Sequence, residues 1–401
     1  MEKIMVRKNM PDIFLVVLCA CLLLSVLAFV YLDGYSGWDI TGHWRICRYA
    51  LEGYNPYMLI AQEPVFAEIG EIPSGFSTVP WACVFGSFFY GGFMPLNWAK
   101  MYNFVLHLAS LAAVLGVVYC KLCNGYTQKQ QWVLLLIPVA HFSLMYSIRY
   151  GNAGGVICCL LIITFFASED YPLFSGFLLG MSMMKPQIAG IVCLAYLLRR
   201  QWRVLFTAAA VVVSGWILSA VATSTSPLLL LVQTLETGTA ATGQYLGLLN
   251  NLKYIGVESK IILLVNVAIG AIYVIYLHGY LVSNKVNSVM MFVPACIAST
   301  FWIYKNGTDY LIVVFAAVLL CVLCMGRSLR PHEYMLSAIC LTYLVMGRGF
   351  VNFGVALFEQ NLFVRDLIKS ADGVLLALIG TAICRLWVKY EGEALLKTKN
   401  E

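Results

Sequence analysis

Charged residues are scarce in this sequence. They make up 11% of the 401 residues, whereas soluble domains carry about a quarter. Hydrophobic residues reach 61%, so the composition excludes a soluble domain and predicts an all-α polytopic membrane protein surrounded by membrane lipids. The formal net charge of +6 is small and spread along the chain, which gives no reason to expect nucleic acid as a partner.

Several motifs are missing as well. The chain has neither a Walker A motif nor a dinucleotide fingerprint, and no cofactor is expected. Its 14 cysteines stand mostly alone in apolar runs, which is typical of small buried side chains. No acidic pair and no Cys–His set stands at metal-ligand spacing, so no metal is expected. No internal repeat or appended soluble segment is evident, and residues 1–401 are predicted to form a single integral membrane domain.

Apolar segments that approach the roughly 20 residues needed to cross a membrane recur about twelve times. The first, Ile13 to Leu32, is interpreted as an uncleaved helix because no small-residue cleavage site follows it. Lys185-Pro186 interrupts a long segment, Pro172–Leu198, which is either one kinked span or two half-spans. The remaining segments are Val79–Phe93, Trp98–Cys120, Trp132–Ile148, Ala153–Ala167, Val204–Ala222, Ile261–Val282, Ser288–Tyr304, Asp309–Met325, Tyr334–Met346 and Val374–Val388.

The distribution of basic residues predicts an orientation. The basic N-terminus is expected to face the cytoplasm, so residues 33–78 form a first outer loop with a net charge of −4 (six acids, two bases). Alternation then places residues 223–260 in a second outer loop and the arginines at 199, 200 and 203 inside. It also places Arg149-Tyr150-Gly151-Asn152 near the inner surface, as a basic loop or a polar break lining a cavity. Lys121 and Lys129 disagree with this count, which puts them outside.

The first outer loop contains the stretch that is richest in candidate functional residues. Its spacing predicts a helix from Trp38 to Leu51, lying in the membrane interface, with Ile40, Trp44, Cys47 and Leu51 on one apolar face. Asp39 and His43 lie one turn apart on another face. Asp39 is either a catalytic carboxylate or only the N-cap of a helix that begins at Ile40.

Ionisable or polar groups at membrane depth are candidates for function because they are costly to bury there. Lys185 either snorkels to an interface or points into a cavity. Trp302 and Lys305 stand near the end of a span on the outer side, and Arg348 between two glycines closes another span there. An interfacial aromatic belt with snorkelling cations is the structural alternative for these last three residues.

These motifs together resemble glycosyltransferase family 87. The matching pattern comprises Gly37-Trp38-Asp39, then Gly53-Tyr54-Asn55-Pro56-Tyr57, Gly151-Asn152, Lys185-Pro186, and Trp302 with Lys305. The segments follow one another in the family's order over most of the chain. Gly151-Asn152 replaces the more usual Gly-Gln.

The resemblance implies a GT-C-like bundle of about 10–13 transmembrane helices with an interfacial helix in the first outer loop. It also implies transfer of a mannose-like hexose or a pentose from a polyprenyl-phosphate donor to a lipid or glycan acceptor. The site would face the periplasm or exterior of the cell inner (plasma) membrane.

In an inverting transfer of this kind Asp39 would be the general base. The anionic leaving phosphate needs a cation, for which the candidates are His43, Lys185, Lys305 and Arg348, with Trp302 beside them. A flippase or transporter of lipid-linked sugars is the alternative function, and a ligase or polymerase of surface polysaccharide is the nearest rival enzyme.

Overall fold

A computed structural model describes residues 2–31, 37–57, 69–70, 79–242, 248–303, 307–327, 329–358 and 360–398. Within these ranges the regular structure is helical, with no strand. Seven helical segments there are long and apolar enough to cross a membrane. The prediction of an all-α polytopic membrane protein is therefore confirmed.

The first half of the chain contains eleven described α-helices, several of them short. Their order is α1 (Glu2–Tyr31), α2 (Trp38–Leu51), α3 (Ala82–Phe85), α4 (Ser87–Tyr90), α5 (Leu96–Leu122), α6 (Gln128–Ala140), α7 (Phe142–Tyr150), α8 (Gly154–Ala167), α9 (Pro172–Ser182), α10 (Pro186–Leu198) and α11 (Trp202–Ala222). Helices α6 and α7 together form one candidate span, which is interrupted at His141, whose backbone is extended (ψ 123°).

The second half alternates long α-helices with short 3-10 turns. Its α-helices are α12 (Pro227–Thr242), α13 (Ser259–Ser283), α14 (Val293–Ala298), α15 (Val314–Gly326), α16 (Pro331–Leu357) and α17 (Leu362–Thr398), with 3-10 helices at Asn250–Ile255, Ser288–Phe292 and Gly307–Val313. Helix α15 is enclosed by its neighbours, because 89% of the apolar window Thr308–Gly326 is buried. The segment that enters it is consequently held deep inside the bundle.

The segment Val79–Phe93 does not cross the membrane, and its prediction as a span is wrong. It folds as α3 and α4, each four residues and about 6 Å long. Gly91 adopts a left-handed conformation directly after α4 (φ 62°), which ends the helix. Without this span, the predicted side of the membrane changes for the segments that follow.

The half-spans α9 and α10 form a hairpin. Glu169 lies just before α9 and Arg199 just after α10, and their side chains form an ion pair of 2.7 Å. A straight helix over those residues would separate them by about 45 Å. The chain therefore reverses at Lys185-Pro186, which settles the choice between one kinked span and two half-spans in favour of two.

The bundle has two ends, which we call the site face and the opposite face. The site face carries Asp39 and the tip of the α9–α10 hairpin. The opposite face carries the Glu169–Arg199 pair. Lys121 also belongs to the opposite face, because it pairs with Asp170 at 2.8 Å, and Lys129 pairs at 2.7 Å with Asp12 near the start of the chain. Their predicted position on the side of Asp39 is wrong because of the extra span.

Candidate active site

Helix α2 positions the carboxylate that the sequence singles out. The helix begins at Trp38 and ends at Leu51, as predicted, and its N-cap is Gly37 in a left-handed conformation (φ 58°). The Gly37 N–H donates to the carbonyl oxygen of Arg149 at 3.0 Å, and Thr41 Oγ1 donates to the Gly37 carbonyl at 2.8 Å. Asp39 is therefore the second residue of the helix, and the alternative that it is only an N-cap is wrong.

The predicted apolar face of α2 is largely confirmed. Ile40, Trp44 and Cys47 are buried, and the indole N–H of Trp44 donates to the carbonyl oxygen of Met94 at 2.9 Å. Leu51 is the exception, with 41% of its surface exposed at the last turn. Asp39 is only 8% exposed, so its carboxylate is buried together with the apolar face.

The partner of Asp39 lies 113 residues further along the chain. Asn152 Nδ2 donates to Asp39 Oδ2 at 2.7 Å. The orientation of this amide is defined by the N–H of Gly154, which donates to Asn152 Oδ1 at 2.8 Å and so leaves the NH₂ group directed at the carboxylate. The carbonyl oxygen of Asn152 lies 3.0 Å from Nε2 of the buried His107. Asn152 is thus fixed on both sides.

This contact corrects the predicted location of Arg149-Tyr150-Gly151-Asn152. The segment was placed near the inner surface, on the side of the membrane away from Asp39. Two hydrogen bonds, from Gly37 to Arg149 and from Asn152 to Asp39, place it on the site face instead. Of the two interpretations offered for the segment, the polar break beside the site fits its position.

A buried ion pair lies beside Asp39. Lys185 Nζ, at the tip of the α9–α10 hairpin, contacts Asp309 Oδ1 at 3.1 Å, and Thr308 Oγ1 contacts the same oxygen at 3.1 Å. Lys185 is 7% exposed and Asp309 2%. Lys185 does not snorkel to an interface, because its ammonium group points inward to a buried carboxylate.

Asp309 was missed as a site residue in the sequence. It was placed only at the boundary of a span, where an acidic residue is easily taken for a helix exit. The available signal was its position at the head of a very apolar run, where an ionised group is costly unless it has a partner. The structure shows that the partner is Lys185.

Gly154 allows these groups to approach one another. It is the first residue of α8, and a Cβ built on it would lie 2.7 Å from Thr308 Oγ1, 2.8 Å from Asp309 Oδ1 and 3.0 Å from Asn152 Oδ1. Each of these distances is shorter than a carbon–oxygen van der Waals contact. A side chain at this position would therefore push Asn152 and Asp309 apart.

We expect Gly154→Ala to lower activity through misplacement of Asn152 and Asp309, by about a hundredfold if the shift reaches 1 Å. Gly116→Ala is the control, because Gly116 is also a helical glycine but its Cβ would meet nothing within 4 Å. That control should fold at least as well as the wild type, since alanine is the better helix former. Equal activity of the two variants would show that the close approach at Gly154 is not needed.

Burial affects Asp39 and His43, the two candidate residues of α2, in different ways. Burial raises the pKa of the Asp39 carboxyl, an effect that the charge of Asp309 reinforces and that the Asn152 hydrogen bond and the charge of Lys185 oppose. Burial lowers the pKa of His43 to about 3, and the nearby charge of Lys185 acts in the same direction. His43 is consequently a neutral ring at pH 7. It stacks on Tyr90 with ring centroids 4.6 Å apart.

Arg348 lies on α16 beside the same region. The predicted span end at Met346 is wrong, because α16 continues to Leu357 and Arg348 is internal to it. The guanidinium lies 5.1 Å from the ring centroid of Tyr310, the residue after Asp309. Tyr310 and Tyr343 both donate their hydroxyl groups to Asp372. Arg348 makes no ion pair within the described ranges, which leaves its guanidinium available to an anionic ligand.

Trp302 supports the hairpin from outside. Its indole N–H donates to the carbonyl oxygen of Gln187 at 2.7 Å, and its ring lies against Gly190 of α10. Trp81 does the same on the other arm, where it donates to the carbonyl oxygen of Met183 at 2.9 Å. These contacts fix the backbone around Lys185. Lys305, the remaining candidate, lies outside the described residues.

The described residues include no group of three or more His, Cys, Asp or Glu side chains that could hold a metal ion. They do present a buried carboxylate with one oxygen fixed by an amide, an adjacent Lys–Asp pair and an arginine without an ion-pair partner. These groups lie together at one end of a bundle of membrane-spanning helices.

The protein is a membrane glycosyltransferase. It belongs to glycosyltransferase family 87, whose model matches residues 84–347, well over half of the chain. The resemblance inferred from the short motifs is thus confirmed, and the matched region contains Asn152, Lys185 and Asp309 but begins after Asp39. No curated protein and no solved structure matches the chain.

Proposed function

We propose that the protein transfers a mannose-like hexose or a pentose from a polyprenyl-phosphate donor to a lipid or glycan acceptor, with inversion and with Asp39 as the general base. The observation that carries this proposal is the asymmetric environment of Asp39. Its Oδ2 accepts a hydrogen bond from Asn152, whereas Oδ1 accepts none from the described part of the chain. One oxygen holds the group in place and the other can receive a proton.

The reaction follows from this arrangement. The acceptor hydroxyl gives its proton to Asp39 Oδ1 while its oxygen forms a bond to the anomeric carbon. The bond from that carbon to the phosphate oxygen breaks on the opposite face of the sugar, and its electron pair leaves with the phosphate. Burial raises the pKa of Asp39, which makes its carboxylate a better proton acceptor than an exposed one.

Arg348 is the cation best suited to the leaving phosphate. Lys185 is already paired with Asp309 at 3.1 Å, whereas Arg348 has an aromatic neighbour and no ion pair among the described residues. A guanidinium can contact two phosphate oxygens at once. Lys185 then supports the site by neutralising Asp309. His43 is neutral at pH 7, so we assign it to packing against Tyr90 rather than to phosphate binding. Lys305 and Trp302 stay predictions.

The orientation proposed from the sequence is strengthened by the corrected span count. The two exceptions to the positive-inside rule, Lys121 and Lys129, lie on the opposite face from Asp39, which the arginines at 199, 200 and 203 also occupy. We infer that this face is cytoplasmic and that the site opens to the periplasm or exterior. Nucleotide sugars are cytoplasmic, so a lipid-linked donor is the one that can reach such a site.

The test is a transfer assay with purified protein in lipid vesicles. We expect label to move from one of a panel of radiolabelled polyprenyl-phosphate sugars to a crude lipid or glycan acceptor, and not from nucleotide sugars. The alternative is a transporter of lipid-linked sugars, which the broken α9–α10 hairpin with its lysine would also suit. Movement of the lipid-linked sugar between leaflets, without transfer from any donor, would favour that alternative and overturn the enzyme.

A further inference from the structure

A pocket lies on the opposite face of the bundle, away from Asp39. It has a volume of about 520 Å³ and is formed where α9 and α11 begin. We call it the basic pocket, and its polar and aromatic lining residues are Ser168, Glu169, Arg200, Gln201, Trp202 and Arg203. None of these residues takes part in the proposed transfer reaction.

The lining of the pocket carries more positive than negative charge. Arg200 and Arg203 are exposed and form no ion pair with any residue in the described ranges. The lone carboxylate of the lining, Glu169, is held at 2.7 Å by Arg199. Arg199 also has a buried Nη1 without a hydrogen-bond partner in the described structure. Arg199, which is not part of the lining, thus neutralises the one carboxylate, and Arg200 and Arg203 leave positive charge for an anionic ligand.

The lining also offers an acceptor. Gln201 Oε1 is buried and receives no hydrogen bond from the described residues. Buried polar atoms are nearly always satisfied in native proteins. A phosphodiester would accept from the arginines but could not donate to this oxygen, whereas a ligand that carries a hydroxyl group beside its phosphodiester would do both.

The backbone at Arg200 makes this residue suitable for substitution by glycine. Arg200 has a φ of 55°, and its N–H donates to the carbonyl of Leu197 while that of Gln201 donates to Tyr196. This is a Schellman ending of α10, and glycine is the residue that usually occupies the left-handed position. Glycine at residue 200 would therefore remove the side chain without straining the backbone.

The surroundings of the pocket identify the source of the phosphate. Trp202 begins α11 and is half exposed, which is typical of a residue at the membrane–water interface. Beside it, Leu173 and Phe206 present 65% and 71% of their surfaces. These apolar side chains form an exposed surface of α9 and α11 next to the pocket, where acyl chains would lie.

We propose that the basic pocket binds the headgroup of an anionic phospholipid that carries a free hydroxyl, of the phosphatidylglycerol type. Its phosphate contacts Arg200 and Arg203, its hydroxyl donates to Gln201, and its acyl chains cover the exposed side chains of α9 and α11. The occupied pocket lies at the base of the hairpin whose tip is Lys185. This inference does not depend on the transfer reaction.

The experiment measures lipid retention by native mass spectrometry and the thermal midpoint of the purified full-length protein. The probes are phosphatidylglycerol, phosphatidic acid, phosphatidylcholine and soluble glycerol phosphate. We expect phosphatidylglycerol to be retained best and to raise the midpoint most. Arg200→Gly removes the side chain and relieves the positive φ, so the variant should fold while retaining phosphatidylglycerol roughly fivefold less well.

Lys285→Gly is the matched control. Lys285 has a φ of 53° and ends α13 with the same hydrogen-bond pattern, near the opposite face but outside the pocket. It should leave phosphatidylglycerol retention unchanged. An equal loss of phosphatidylglycerol retention in both glycine variants would show that removing any surface positive charge has this effect, and it would overturn the proposal. Retention of phosphatidylcholine at the level of phosphatidylglycerol, or equal competition by soluble glycerol phosphate, would also overturn the proposal.

Discussion

Asp39→Asn is expected to lower the transfer rate by about 10²–10⁴-fold, the usual loss when a positioned acid–base group is removed. The substitution is nearly isosteric, and the remaining amide oxygen can still accept from Asn152 Nδ2, which lies 2.7 Å from Asp39 Oδ2 in the wild type. The proton acceptor is therefore lost while the contact between α2 and the Asn152 segment is kept. The measurement is the initial rate of sugar transfer in lipid vesicles.

The pH dependence of the wild type identifies the group. Burial raises the pKa of Asp39 above its ordinary value, so kcat/KM should fall, as the pH is lowered, through a pKa higher than that of an exposed aspartate. The residual activity of Asp39→Asn should lack this acid limb.

The same pKa shift affects stability. Because the folded state raises the pKa of Asp39, protonation of the carboxyl favours folding, and the ionised carboxylate lowers stability at pH 7. The amide of the Asp39→Asn variant carries no charge, so its unfolding midpoint should not be lower than that of the wild type.

Glu52→Gln is the control for the Asp39 variant. Glu52 caps the other end of α2, and its exposed carboxylate pairs with Arg48 at 2.6 Å. The same chemical change there should leave transfer close to wild type. Wild-type transfer by Asp39→Asn would refute the assignment of the base, whereas loss of transfer together with loss of folding would indicate a structural role.

Lys185→Met is expected to cause the largest loss of stability, about 3–5 kcal/mol in the free energy of unfolding. The variant removes the cation that faces Asp309, whose carboxylate is only 2% exposed. A buried charge without its partner is far more costly than the intact pair. The measurement is denaturant-induced unfolding of the purified protein in detergent.

The double variant Lys185→Met/Asp309→Asn tests whether the stability is lost through an unpaired buried charge or through altered side-chain packing. Because neither charge remains buried, it should recover most of the stability lost in the single variant, while transfer stays impaired. Lys129→Met is the control, because the Lys129–Asp12 pair is also distant in sequence but exposed. It should leave unfolding close to wild type, since exposed ion pairs contribute little. Similar stability of the single and double variants would contradict a buried ionic interaction.

Much of the architecture follows from the sequence alone. Few charges and many apolar residues require a membrane environment, because a chain of this composition has too little polar surface for water. The period of the apolar residues and the glycines on either side were enough to define α2. Asp39 was identifiable because it stands in a polar and aromatic stretch of an otherwise apolar chain. Lys185 was identifiable because an ionised group at membrane depth is costly to bury.

Only the tertiary structure decided which of these groups meet and on which side. Hydropathy reports composition, and it cannot tell whether the backbone hydrogen bonds of a helix continue without interruption. Val79–Phe93 is as apolar as a span but breaks into two four-residue helices, and Pro172–Leu198 reverses at Lys185. Each change alters the side of the membrane for the residues that follow. Asn152 and Asp309 thereby reach Asp39 and Lys185 through contacts more than a hundred residues apart in sequence, which no local pattern encodes.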